Sequence, residues 1–152
     1  MKIWIDADAC PRMIKEVVFK VAVRLRIPAT LVANSGMFVP RSPLIGIDVV
    51  GGGVDEADRH IVAHSSPGDL VVTADIPLAS ALVEKGVVAI DPRGVVYSSS
   101  NVKEALATRN LMHDLRESGL NQGGPAPLGP KDRERFANAL DRELTRLRRA
   151  AP

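Results

Sequence analysis

The sequence predicts an α/β fold built on a mostly parallel five-stranded sheet covered on both faces. Short apolar runs rich in Val and Ile alternate with longer stretches of helical periodicity, the pattern of parallel strands joined by right-handed crossovers. The first and fourth runs both end in acidic residues, in Asp6-Ala-Asp8 and Thr73-Ala-Asp75. At 152 residues with one cysteine, the chain is long enough to bury a core without staples and can form no intramolecular disulfide.

The first strand, residues 3–5, is Ile-Trp-Ile, and Pro11 suits the first turn of the helix that follows. Over residues 11–26, Ile14, Val17, Val18, Val21, Ala22 and Leu25 recur on one face, with Arg12, Glu16, Lys20 and Arg24 on the other. Pro28 stops the helix, and 30–33 reads as a second strand. Residues 34–43, with Gly36, Pro40 and Pro43, form a loop long enough to lie over a site. Ile47, Val49 and Val50 suggest a third strand, and three glycines at 51–53 permit a sharp turn into a helix over 54–64. No lysine and Ser/Thr pair follows them, so this is not a Walker loop. Residues 70–73 make a fourth strand, 77–84 a helix ended by Gly86, and 87–90 a fifth strand.

After a short extended piece at 95–97, Asn101 with Glu104 resembles a capping box for a helix to about 118. Residues 1–118 are read as one α/β domain. Residues 119–130 form a Gly/Pro-rich linker, and residues 131–149 a final amphipathic helix packed on that domain. Phe136, Leu140, Leu144 and Leu147 lie on one side of it, with Arg135, Arg142, Arg146 and Arg149 on the other.

No apolar stretch is long enough to span a bilayer, and the first residues enter a strand instead of a signal peptide, so the expectation is a cytoplasmic protein. Residues 1–100 carry ten Lys/Arg against eleven Asp/Glu, while 101–152 carry ten against seven. Base in excess over the C-terminal part favours a polyanionic partner, although a solvated helix surface gives the same count. Nothing in the pattern fixes an oligomeric state.

Asp6 and Asp75 each follow an apolar strand, so a parallel sheet brings both to the edge where such folds bind ligands. Asp55 and Asp58 open the helix after the third strand. Asp58 precedes Ile61 and Val62 by three and four residues, which puts it on the face turned toward the sheet. A carboxylate there needs a partner, since buried charges are paired or coordinate a metal. Capping alone would account for Asp8, Asp55 and Asp75. It accounts for neither Asp6 nor Asp58. The set Asp6, Asp8, Asp55, Asp58 and Asp75 offers only oxygen, the donor suited to Mg²⁺ or Mn²⁺.

The run IWIDADACP, the stretch VDEADRHIV, the strand end GDLVVTADIPLA, and the later PRG, GGP and F-x3-LD elements resemble the YaiI/YqxD family of bacterial proteins, related to PIN-like nucleases. The resemblance covers nearly the whole chain. It implies a three-layer α/β/α PIN-like fold and a metal-dependent acidic centre acting on RNA, or with less support DNA. It gives Asp6, Asp58 and Asp75 the catalytic positions, Asp75 through the Thr-x-Asp signature. Such nucleases usually carry a further glutamate on a helix between the first and third positions. Between Val17 and Gly53 this chain has only Asp48, which leaves Asp8 or Asp55 as the replacement.

Four arginines are candidates for gripping phosphate. Arg109 falls on the stripe of Val102, Ala105, Leu106 and Met112, where it is either paired with an acid or aimed into the cleft; Arg93, Arg142 and Arg146 complete the set. A catalytically idle nucleic-acid-binding protein is the main alternative. A haloacid-dehalogenase-like phosphatase, which also begins with a strand and D-x-D, is a minor one, with only Asp91 available as its later acid. Cys10 lies in C-x5-Glu16 where a cysteine phosphatase needs arginine, so it reads as a small buried thiol. His60 and His64, opposite Ile61 and Val62, are expected to face solvent.

Overall fold

The computed structural model describes residues 1–119 and 127–151. Strands β1 (Ile3–Asp6), β2 (Ala29–Ala33), β3 (Ile45–Val49), β4 (Leu70–Val72) and β5 (Val88–Ile90) form one sheet in the order β3-β2-β1-β4-β5. Every pairing in it is parallel. Helices α1 (Arg12–Leu25), α2 (Glu56–His64), α3 (Ile76–Lys85), α4 (Ser99–Glu117) and α5 (Pro130–Ala150) complete a three-layer α/β/α fold.

The chain steps outward from β1 to β3, returns past β1 to β4, and steps the other way to β5. Right-handed crossovers then place α1 on one face and α2 and α3 on the other. Side-chain alternation sorts the strands accordingly. Ile3, Ile5, Leu31, Leu70, Val72 and Ile90 join Ile14, Val18 and Ala22 of α1 in one buried cluster. Trp4, Val32, Val71 and Ala89 join Ile61 of α2 and Leu78 and Leu82 of α3 in the other. Because the crossovers at β4 and β5 lie on the α2 and α3 face, α1 alone leaves half of its own face bare. Helix α5 fills that space with fully buried Phe136, Leu140 and Leu144.

Several boundaries differ from the sequence expectation. The third strand is 45–49, not 47–50. It is an edge strand with Val49 57% exposed, so its apolar residues are a poor guide to its extent. Asp55 takes a left-handed conformation (φ 62°) and makes no capping bond, so α2 begins at Glu56. The capping box of α4 is Ser98 with Asn101, one turn earlier than the Asn101 and Glu104 pair. Most of the linker expected over 119–130 lies outside the described residues. Among the described residues, no helix is long and apolar enough to cross a membrane.

Gly94 explains the PRG element. Its φ is +90°, and a Cβ there would lie 2.8 Å from the Arg135 carbonyl oxygen, so the turn after β5 meets α5 backbone to backbone. Arg93 pairs with Asp132 at 3.3 Å beside it. Toward its other end α5 meets the end of α1, through Arg24 and Asp141 at 3.0 Å and through Arg148, which donates to the Leu25 carbonyl. Helix α5 therefore runs from the C-terminal edge of the sheet to its N-terminal edge.

Candidate functional site

The strand order reverses between β1 and β4, and a crevice opens at such a switch point beyond the strand ends. Asp6 closes β1 there. By alternation it shares the side of Trp4, which is the α2 and α3 side, and only 5% of it is exposed. Thr73, next after β4, has the parity of Val71 and points the same way. Its hydroxyl donates to Asp6 Oδ2 at 2.9 Å and accepts from the Asp75 N–H at 3.0 Å. Asp75 then caps α3, its Oδ1 accepting from the Leu78 N–H at 2.9 Å. From α2, Asp58 reaches the same place and shares a hydrogen bond with the Asp75 carboxyl. Three elements thus bring Asp6, Asp58 and Asp75 together.

Like charges held this close favour the protonated forms. Burial, then the charges of Asp75 and Asp6, push the Asp58 carboxyl up to about 7; the hydrogen bond with Asp75 and the charge of Asp55 act in the same direction. Burial also raises Asp6 above the ordinary carboxylate value. The Thr73 hydroxyl opposes this, while Asp75 and Asp8 add to it.

Asp8 and Asp55 flank the three without completing them. Asp8 is exposed and caps no helix; its Oδ2 accepts from the Asn34 N–H at 2.9 Å, tying the turn after β1 to the end of β2. Asp55 lines a hollow of about 560 Å³ together with Asp58, Asp75, Arg59 and Arg109. A second hollow of about 950 Å³ shares Asp75 and Arg109 and continues along α4 past Tyr97, Thr108 and Arg116. Burial, with Asp91 and Asp75, pushes the Tyr97 phenol up to about 12, so it remains a hydrogen-bond donor at neutral pH.

Arg109 lines both hollows. It is exposed, bonds Asn110 and has no acid partner among the described residues. Arg93 sits at the same sheet edge but is engaged with Asp132. Arg142 and Arg146 are elsewhere. They follow Asp141 toward the far edge of the sheet and flank the buried carboxylate of Glu143. The helical pattern alone identified their face but not their height along α5.

Sequence reasoning missed Thr73, whose place in Thr-x-Asp at a strand end is the available signal, and Arg59, the immediate neighbour of Asp58. It also misplaced His60. That ring is 23% exposed, bonds Asp48 Oδ2 at 2.9 Å, and lies edge-on to Trp4 with centroids 6.2 Å apart. His64, stacked on it at 4.1 Å, is exposed as expected. Cys10 is buried, and burial pushes its thiol up to about 12.

Among the described residues, no three His, Cys, Asp or Glu side chains are placed to hold one metal ion together. Mg²⁺, however, is commonly held by one or two carboxylates with water and substrate phosphate making up its shell, without an all-protein cage. The all-oxygen set of Asp6, Asp58 and Asp75 fits that mode in its chemistry.

The model of the family described as "Uncharacterized BCR, YaiI/YqxD family" matches residues 4–146. A UPF0178 protein of Geobacter metallireducens is 57% identical over 147 residues, 97% of this chain and 95% of that one. One from Myxococcus xanthus is 50% identical over 152 residues, 100% of this chain and 99% of the relative. One from Pseudomonas fluorescens is 53% identical over 149 residues, 98% and 99% respectively. No solved structure matches. With a match running from β1 almost to the end of α5, the chain belongs to the YaiI/YqxD family.

Proposed function

We propose that the protein is a metal-dependent phosphodiesterase of PIN-like type acting on RNA, with DNA the less favoured substrate. The observation that carries this reading is the convergence of Asp6, Asp58 and Asp75 at the switch point between β1 and β4, beside a cleft lined by Arg59 and Arg109. Grouping three carboxylates costs stability through repulsion and desolvation, and a bound divalent cation offsets that cost. Asp6 and Asp75 are the ligands assigned to Mg²⁺ or Mn²⁺, with Asp58 beside them. The cation would supply charge neutralisation and an activated water. Asp58, lining the cleft beside Asp6 and Asp75, is the carboxyl positioned to exchange a proton, while Thr73 holds the Asp6 carboxylate in place. Arg109 and Arg59 face the cleft as counter-charges for phosphate.

The second reading, an idle nucleic-acid-binding protein, draws on a specific observation: among the described residues no three-ligand group is formed, and the helix glutamate usual in such nucleases is absent. The phosphatase alternative is weakened because Asp91 is engaged in its own turn, its Oδ1 accepting from the Arg93 and Val95 N–H groups at 2.9 and 2.8 Å.

Melting with millimolar Mn²⁺ and cleavage of single-stranded RNA test the proposal together. The expected result is an upward melting shift and cleavage, both lost on Asp6→Asn or Asp75→Asn. Cleavage that survives Asp6→Asn overturns the assigned centre. RNA binding without cleavage in either cation selects the idle binder.

A further inference from the structure

The loop between β2 and β3 carries an aromatic side chain that the acidic centre does not use. It leaves β2 at the C-terminal sheet edge, where the Asn34 N–H donates to Asp8. It then crosses over α1, in place of a crossover helix. Met37 and Val39 pack into the α1-side core, so Phe38 between them is held outward and is 87% exposed. The chain has only three Phe, one Tyr and one Trp, and Phe38 is the one of these rings, among the described residues, that is almost wholly solvated. Phe38 lines a hollow of about 420 Å³ with Arg12, Lys15, Glu16, Phe19, Met37 and Pro40. The Lys15 ammonium lies 3.4 Å from Met37 Sδ, with no carboxylate among the described residues in ion-pair range. Arg12, 92% exposed in its side chain, is paired with Glu16 at 3.3 Å, an exposed i,i+4 pair of the kind that contributes little and yields readily to a phosphate.

We propose that this hollow is a nucleotide subsite: an unpaired base of a single-stranded nucleic acid stacks on Phe38, and the flanking phosphate is met by Lys15 and Arg12. A ring with adjacent cations is the arrangement that binds single strands without reading sequence. The volume suits one nucleotide; a protein partner would need an apolar face of roughly 800 Å², far beyond one phenyl ring. The inference rests on the reading that the strand at this sheet edge is a nucleic acid, and it adds a contact on the α1 side, across β1 from Arg59 and Arg109.

The test is anisotropy of labelled oligouridylate in EDTA, so that cleavage plays no part, beside a strand of abasic spacers that keeps the phosphates and lacks the bases. Phe38→Ala is expected to weaken oligouridylate binding roughly five- to thirtyfold while leaving the abasic strand and the melting temperature unchanged. Phe38→Trp should retain binding and report it by quenching of its fluorescence. Lys15→Ala should weaken both strands. If Phe38→Ala binds oligouridylate as the unmodified chain does while Arg109→Ala binds weakly, the subsite is overturned and the nucleic-acid reading stands. Equal weakening of both strands by Phe38→Ala also overturns stacking. If the unmodified chain binds neither strand, in EDTA or with Mg²⁺ and Mn²⁺ restored, the subsite and the nucleic-acid reading fall together.

Discussion

The Thr73 hydroxyl donates to Asp6 Oδ2 at 2.9 Å across 67 positions of sequence. It is the bond that joins the ends of β1 and β4 on the side where the carboxylates meet. Thr73 is fully buried, so Thr73→Val keeps the shape and deletes both the donor to Asp6 and the acceptor for the Asp75 N–H. Hydrogen bonds to charged groups contribute about 1.5–3 kcal/mol. Urea unfolding of the valine variant should lose about that much near neutral pH. The loss should shrink in acid, because removing the donor raises Asp6 further and penalises only its ionised form. A loss independent of pH would mean that Thr73 acts through packing and the Asp75 N–H and not through the Asp6 charge.

The metal-free protein should be more stable in mild acid than above neutrality. Asp58 moves from its ordinary 3.8 up to about 7 on folding, chiefly through burial and the charges of Asp75 and Asp6. Between those values the folded chain binds more protons than the unfolded one, so stability falls as pH rises through the window and levels off above it. Asp6 contributes with the same sign. Asp58→Asn should therefore stabilise the metal-free protein at about pH 8 by about 1 kcal/mol, a value discounted for the partial exposure of the carboxyl, and change little at about pH 4. Chemical denaturation at both pH values checks this; an equal effect at both would contradict it.

Gly94→Ala should be disproportionately harmful for a single methyl group. The position combines φ +90° with a Cβ site 2.8 Å from the Arg135 backbone, and backbone cannot step aside as a flexible side chain can. A loss of about 2 kcal/mol or more is expected, with Gly129→Ala, where nothing lies within 4 Å, as the mild comparison. Similar melting temperatures for the two would refute the close approach.

Cys10 should resist alkylation. It is 6% exposed and its thiol is pushed up to about 12, first by burial, so the reactive thiolate is scarce at about pH 8. Iodoacetamide should label it slowly in the native protein and rapidly in urea, as mass spectrometry would record. Native labelling at the rate of a free thiol would place it at the surface.

The acidic centre was legible because strand ends and helix faces follow from local periodicity: Asp6 and Asp75 from the apolar runs before them, Asp58 from Ile61 and Val62. Periodicity says nothing of what lies across the fold. Thr73 and Asp6 meet only through the β1 and β4 pairing. Asp48 and His60 meet because α2, packed over β1 and β2, brings His60 within reach of the neighbouring edge strand, which turned an expected solvent-facing ring into a packed one. Arg142 and Arg146 were assigned correctly to an outer face, yet their distance from the acidic edge depends on which end of α5 meets Gly94. Asp55 failed as a cap for a backbone reason, since a capping residue is extended and this one is left-handed.

The placement of α5 has a consequence for how the protein comes into being. Phe136, Leu140 and Leu144 leave the ribosome only after all five strands, yet they seal the face of the sheet that also holds β1. Until they arrive, β4 and β5 expose an apolar surface on that side, the kind of surface through which unfinished chains associate. A chain cut before α5 is therefore expected to keep that face open and to associate with itself, which light scattering of a 1–119 fragment would show.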